Sequence, residues 1–227
     1  MSNKEVMIVT GAGQISMAIA RRVGYGKKIV MGDKNIENAK AIATTMNNAG
    51  VSPSQAPIEA ILKVDLYGTA VLLEEVGKVI EEGGVGVTIS SQSGWRMPAL
   101  TAKEDEQLAT TPTEKLLSLD LLQPENIKDT LHAYQLAKRC NEKRVMAQSV
   151  EWGKRGARVN AIAPGIIVTP LAIDEFNGPR GDFYKNMFAK CPAGRPGTAG
   201  SPAAYRPGPA DSRWRCSSTS CCACRCH

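Results

Sequence analysis

EVMIVTGAGQIS, residues 5–16, decides the reading of this chain. Glu5 to Thr10 is a short apolar, β-branched run closed by glycine, and Ile15 to Val23 behind it carries apolar residues at helical spacing. Lys28 to Gly32 (KIVMG) repeats the first pattern, so the opening of the chain spells strand, helix, strand. Between the first strand and the helix stand Gly11, Gly13 and Ser16, in the order Gly-x-Gly-x-x-Ser. Glycine permits a tight turn and a close backbone approach to a ligand, and a helix opening at Gln14 and Ile15 offers unpaired N–H groups to a pyrophosphate. A plain glycine turn is the alternative; the position between strand and helix favours the cofactor. Asp33 ends the second strand roughly twenty residues on, where a carboxylate accepts hydrogen bonds from ribose hydroxyls. A phosphate on that ribose would meet like charge. NAD is therefore expected, with NADP possible because Lys34 adjoins, and N-capping of the next helix is the plain alternative for Asp33.

Outward from this unit the same alternation continues. Ile36 to Met46 predicts a helix with Ala39, Ile42, Ala43 and Met46 on one face, and Ile61 to Glu81 a longer one with Leu62, Leu66, Ala70, Leu73 and Val76 near a period of 3.6. Val85 to Ser90 and Arg158 to Ala163 read as strands, separated by a polar stretch and a helix from about Pro124 to Lys154. Helices alternating with apolar strands imply an α/β fold, a doubly wound, Rossmann-like parallel sheet.

Composition bounds the function. With 227 residues, one main domain is expected over residues 1–195, with an insertion near 97–130. From Pro196 onward the chain is rich in Pro, Gly, Ser, Arg and Cys without periodicity, and residues 196–227 are expected to be disordered. That tail holds half of the net charge of +6, through four arginines against Asp211, so the rest is too mildly basic to suggest nucleic-acid binding. It also holds five of the seven cysteines, leaving Cys140 and Cys191 as isolated thiols. The spacing in CCACRCH matches no two-pair zinc arrangement, and no metal is expected. No apolar run approaches the roughly 20 residues of a membrane span, and no signal peptide precedes the first strand, so a cytoplasmic location without membrane partners is expected.

Tyr134 and Lys138 lie four apart on the predicted long helix and share a face. A cation beside a phenol favours the phenolate, which makes a tyrosine usable as a general acid or base. Such a pair on a half-exposed face is usually only solvated. Ser91 gives it company, because it ends a strand at the carboxyl edge of the sheet, where ligands of open α/β folds bind.

Together, TGAGQIS, the serine of ISSQSG, YQLAK and RVNAIAPGIIVTP, in this order, resemble the short-chain dehydrogenase/reductase family over roughly residues 4–199. The resemblance implies hydride transfer between a nicotinamide and a carbonyl or secondary alcohol. Tyr134 would exchange a proton with the substrate oxygen, Ser91 would hydrogen-bond that oxygen, and Lys138 would hold the ribose and ease ionisation of the tyrosine. It also implies that Pro164, Gly165, Ile167 and Thr169 line the nicotinamide, that Ala49 and Gly50 of Asn-Asn-Ala-Gly line the cofactor, and that the protein forms a homodimer or homotetramer. Ile166, Val168, Leu171 and Trp95 suggest an apolar pocket, compatible with a steroid or other bulky ketone.

The departures are specific. Asp65 stands where the family places a helix asparagine in its proton relay. The stretch from Thr101 to Asp129 resembles the enlarged loop of certain bacterial hydroxysteroid dehydrogenases and carbonyl reductases, which implies a loop over the active site that bears on substrate choice, with a lid as one form of that role. One helix runs from Asp33 into Asn47-Asn48-Ala49-Gly50, where the family has a further strand, helix and strand, so strands 3 and 4 of the family have no counterpart, nor does strand 7. The alternative function is therefore a catalytically inactive remnant that acts at most as a nucleotide-binding module.

Overall fold

The computed structural model describes residues 5–10, 14–25, 27–32, 56–179, 181–190, 196–198 and 221–222. In chain order these form β1 (Val6–Thr10), α1 (Gln14–Val23), β2 (Lys28–Gly32), α2 (Ile58–Ile61), a π-helical segment (Leu62–Gly68), α3 (Thr69–Val79), β3 (Val85–Ile89) and a 3-10 turn (Gln92–Trp95). There follow α4 (Ala102–Thr110), short 3-10 turns between Thr113 and Asn126, α5 (Thr130–Lys154), β4 (Arg158–Pro164), β5 (Ile167–Val168), α6 (Pro170–Asn177), α7 (Gly181–Ala189), β6 (Gly197–Thr198) and β7 (Cys221–Cys222). The helix expected over Ile36–Met46 lies outside the described residues. The chain divides into two compact units, residues 1–50 with 166–220, and residues 51–165 with 221–227.

The first unit opens with the strand, helix and strand expected from residues 5–32. β1 and β2 run parallel, in register from Val6 opposite Lys28 to Thr10 opposite Gly32. Glu5 and Lys27 form an ion pair beside the first rung. The helix face is covered, since Val9 and Ala20 are buried. The alternate residues of β1 are not: Val6 is 59% and Ile8 56% exposed, and Val30, opposite Ile8, is 45% exposed. In the same unit β5 pairs in parallel with β6.

The second unit is built around α5. Asp129 starts that helix by accepting a hydrogen bond from the His132 N–H at 2.7 Å, which is why it begins at Thr130 and not at the upstream proline. Behind it β3 and β4 pair in parallel, from Val85 opposite Arg158 to Ile89 opposite Ile162. Leu73, Val145, Trp152 and Val159 join α3, α5 and β4 in one apolar cluster, closed by the Trp152 indole N–H donating to the Leu73 carbonyl at 3.0 Å.

Three expectations change. The helix predicted over residues 61–81 is a composite of α2, the π segment and α3, with Ile61, Leu66, Ala70 and Leu73 still buried along one side. The inserted stretch packs inward. Thr101 and Glu104 form a capping box that starts α4, and Leu108, Leu116 and Leu122 then bury themselves against Ala133, Leu136 and Ala137 of α5. Each buried leucine contributes about 1.5–3 kcal/mol, so the insertion is part of the core. Lastly, β6 and β7 fall where the sequence carried no strand periodicity. β7 pairs antiparallel with Ala163 and Pro164, because a strand edge offers backbone groups that any residue can bond.

Candidate active site

β3 delivers Ser90 and Ser91 to the flank of α5. The 3-10 turn that follows is held against the helix by Gly94, where a Cβ would stand 2.8 Å from the Arg139 backbone nitrogen and 3.0 Å from the Lys138 carbonyl carbon. Only glycine allows that approach. Ser91 caps the turn: its Oγ accepts the Ser93 N–H at 3.2 Å, which leaves its own hydroxyl proton for another acceptor.

On α5, Tyr134 is half-buried against the core and Lys138 follows one turn later, with its Nζ 5.3 Å from the centre of the tyrosine ring. The ammonium also points at the Ile89 carbonyl, 3.5 Å away. Ser90 Oγ lies 2.8 Å from the Lys138 carbonyl and 2.9 Å from Glu142 Oε1. The structure thus joins the strand end bearing Ser91 to the helical turn bearing Lys138 and Tyr134, as expected from the sequence.

Asp65 is only 4% exposed and sits in the middle of the π segment, whose Leu62 and Leu66 share a cluster with α5 residues. Its carbonyl accepts the Thr69 hydroxyl at 2.9 Å. A π segment widens a helix and recurs at functional sites, so the replacement for the family's asparagine occupies an irregular, buried position.

Sequence reading missed four supporting residues. Asp105 on α4 bonds the Arg139 guanidinium in a fork, 2.9 and 2.6 Å, and Lys143 at 2.9 Å. Burial pushes the Asp105 carboxyl up, but its hydrogen bonds to Arg139 and Lys143 and their charges outweigh that and hold it below the ordinary value. Arg139 in turn stacks 4.0 Å over Trp95, so Trp95 is engaged by a cation and is not a bare apolar wall. Glu142, 3% exposed, bonds Ser90 and Trp95; burial raises its carboxyl above the usual range, and these bonds and the nearby Arg139 and Lys143 charges offset only part of that. The signals were in the sequence, in Thr-x-x-Glu at 101–104 and in the four-residue spacing of Tyr134, Lys138 and Glu142. A carboxylate four residues after a lysine, however, reads as a solvated ion pair.

The residues expected to line a cofactor are only partly described. Gly11, Gly13, Asp33, Lys34, Ala49 and Gly50 lie outside the described residues. Gln14 and Ile15 open α1 directly after them, and no acidic residue stands in its first turn, so its N–H groups suit an anion. In the same unit Ile167 is buried in β5, and the Thr169 hydroxyl caps α6 by accepting the Ala172 N–H at 3.2 Å. In the second unit Pro164 closes β4 and is buried, with Gly165 next to it. Lys138 spends one N–H on Ile89 and keeps two of its three for hydroxyl acceptors.

The parallel strand pairs and their crossover helices define an α/β scaffold. Residues 98–205 match the family model described as Enoyl-(Acyl carrier protein) reductase. A short-chain dehydrogenase/reductase of Alternaria brassicicola, bsc3, is 32% identical over 87% of this chain and 86% of its own length. The chain belongs to the short-chain dehydrogenase/reductase family. Among solved structures, the 3-alpha-hydroxysteroid dehydrogenase of Pseudomonas sp. B-0831, complexed with NADH, superposes with a TM-score of 0.65 at 22% identity, over 88% of this chain and 87% of the other. ElxO with NADP bound gives 0.58 at 18% identity, over 89% of each.

Proposed function

We propose that this chain is a nicotinamide-dependent oxidoreductase that interconverts a carbonyl and a secondary alcohol, with NAD preferred to NADP. The observation that carries the reading is the placement of Lys138 beside the Tyr134 ring, on the helical turn that Ser90 ties to the strand end bearing Ser91. The cofactor supplies the hydride when bound. Tyr134 donates the proton to the substrate oxygen in reduction and takes it back in oxidation. Ser91, whose oxygen is already bonded by Ser93, directs its hydroxyl proton at the same oxygen and stabilises the charge that develops there. Lys138 holds a ribose hydroxyl and keeps a cation near the tyrosine. Preference for NAD rests on Asp33, which would repel a ribose phosphate.

A bulky ketone, such as a steroid, is the substrate class we favour, supported by the apolar sequence at Ile166, Val168 and Leu171, in a cytoplasmic enzyme without nucleic-acid or membrane partners. No described helix is long and apolar enough to cross a membrane. Residues 1–195 form the catalytic domain in this reading, with 196–227 as its tail, and assembly as a homodimer or homotetramer follows the family.

Exposure of Val6, Ile8 and Val30 favours a second reading, in which the nucleotide half is too incomplete for turnover and the chain is an inactive relative. The two separate on Tyr134→Phe. With NADH and a panel of bulky ketones, the wild type turns over, and the variant loses turnover by about 10²–10⁴-fold while still binding NADH. Turnover retained in the variant overturns the assignment of Tyr134; a folded wild type that binds NADH and reduces none of the panel supports the inactive reading.

A further inference from the structure

Tyr134, Lys138 and Glu142 recur every four residues along α5, and the third has no part in the chemistry above. Its surroundings are unusual for a carboxyl on a helix that carries the active-site groups. It is 3% exposed, reaches Ser90 Oγ at 2.9 Å, and is bonded by the Trp95 indole. These two partners stand at either end of the Ser91 turn: Ser90 precedes Ser91, and Trp95 ends the 3-10 segment that Ser91 caps.

We propose that Glu142 is a positioning residue, which clamps both ends of the Ser91 turn to the helix bearing Tyr134 and Lys138 and so fixes where the Ser91 hydroxyl points. This rests on the oxidoreductase reading for its catalytic consequence, but not for its geometry. The proton count defines the clamp. Ser90 has one hydroxyl proton and two acceptors in range, the Lys138 carbonyl and Glu142 Oε1. The hydroxyl proton is shared between these two acceptors, and Trp95 donates its indole N–H to the same carboxyl. A glutamine keeps the side-chain length and an acceptor oxygen for these donors. An alanine removes both contacts and leaves the stack of Arg139 on Trp95 in place.

The test uses the full chain in four forms, wild type, Glu142→Gln, Glu142→Ala and Trp95→Phe, with two readouts. Amide hydrogen exchange of the 91–96 segment is expected to be unchanged in Glu142→Gln, intermediate in Trp95→Phe and fastest in Glu142→Ala. In ketone reduction, Glu142→Ala is expected to lose about ten- to a hundredfold in kcat with the KM for NADH within about twofold, and Glu142→Gln to restore kcat. Exchange and kcat of Glu142→Ala equal to wild type overturn the clamp, as does a glutamine variant as impaired as the alanine one. A wild type without turnover sinks the oxidoreductase reading alone, because the exchange readout still decides the clamp.

Discussion

The stretch inserted between β3 and α5 and the strand pair that opens the chain are built to opposite standards. The insertion, formally an addition to the fold, places Leu108 and Leu116 at zero exposure and ties α4 to α5 through Asp105. The opening pair, formally the heart of a nucleotide-binding fold, leaves Val6 and Ile8 more than half exposed. A parallel sheet is ordinarily covered on both faces. Here Val9 is buried on one face of β1, while on the other Val6, Ile8 and Val30 stand open. The stability of the second unit therefore rests on added residues, while in the first Val6, Ile8 and Val30 stay open.

The largest expected effect follows from that contrast. Leu108→Ala or Leu116→Ala should lower unfolding stability by about 2–5 kcal/mol, since each empties a fully buried site, and a denaturant melt followed by α5 helicity measures it. Asp105→Asn comes next, with a loss of about 1.5–3 kcal/mol from the charged hydrogen bonds to Arg139 and Lys143. Ile8→Thr should fall within about 0.5 kcal/mol of wild type; a loss as large as that of Leu108→Ala would mean that β1 is covered in solution and would erase the contrast.

Two carboxyls packed against α5 or carried on it, part-buried Asp105 and buried Glu142, respond to pH in opposite senses. Asp105 is held below its ordinary value, so its contribution is present above the unfolded pKa and is lost as pH falls through the lowered folded value. Glu142 is raised, so its contribution is complete below the unfolded pKa and is lost as pH rises through the raised folded value. Melting temperature against pH should therefore fall on both sides, with Asp105→Asn flattening the acid side and Glu142→Gln the other.

Periodicity alone located β1, α1, β2, β3 and β4, because apolar alternation is a local property of the chain. The part of the site that depends on residues four apart on one helix, Tyr134 and Lys138, was equally legible, as was Ser91 at a strand end. What could not be read was burial of charge. Whether Glu142 and Asp105 face water or the interior depends on the inserted helix and the Gly94 turn, which meet α5 from distant parts of the sequence. The burial of the insertion was hidden for the same reason: its leucines have no partner until α5 is laid beside them. The π segment around Asp65 was hidden because its apolar spacing is that of an ordinary helix.

The central claim is that the opening strand–helix–strand unit still serves a nicotinamide cofactor despite its uncovered face. Titration of the purified chain with NADH, followed by nicotinamide fluorescence and compared with NADPH, tests it most directly. Saturable binding that favours NADH is the predicted result; no binding of either nucleotide by a sample whose helices melt cooperatively would contradict it.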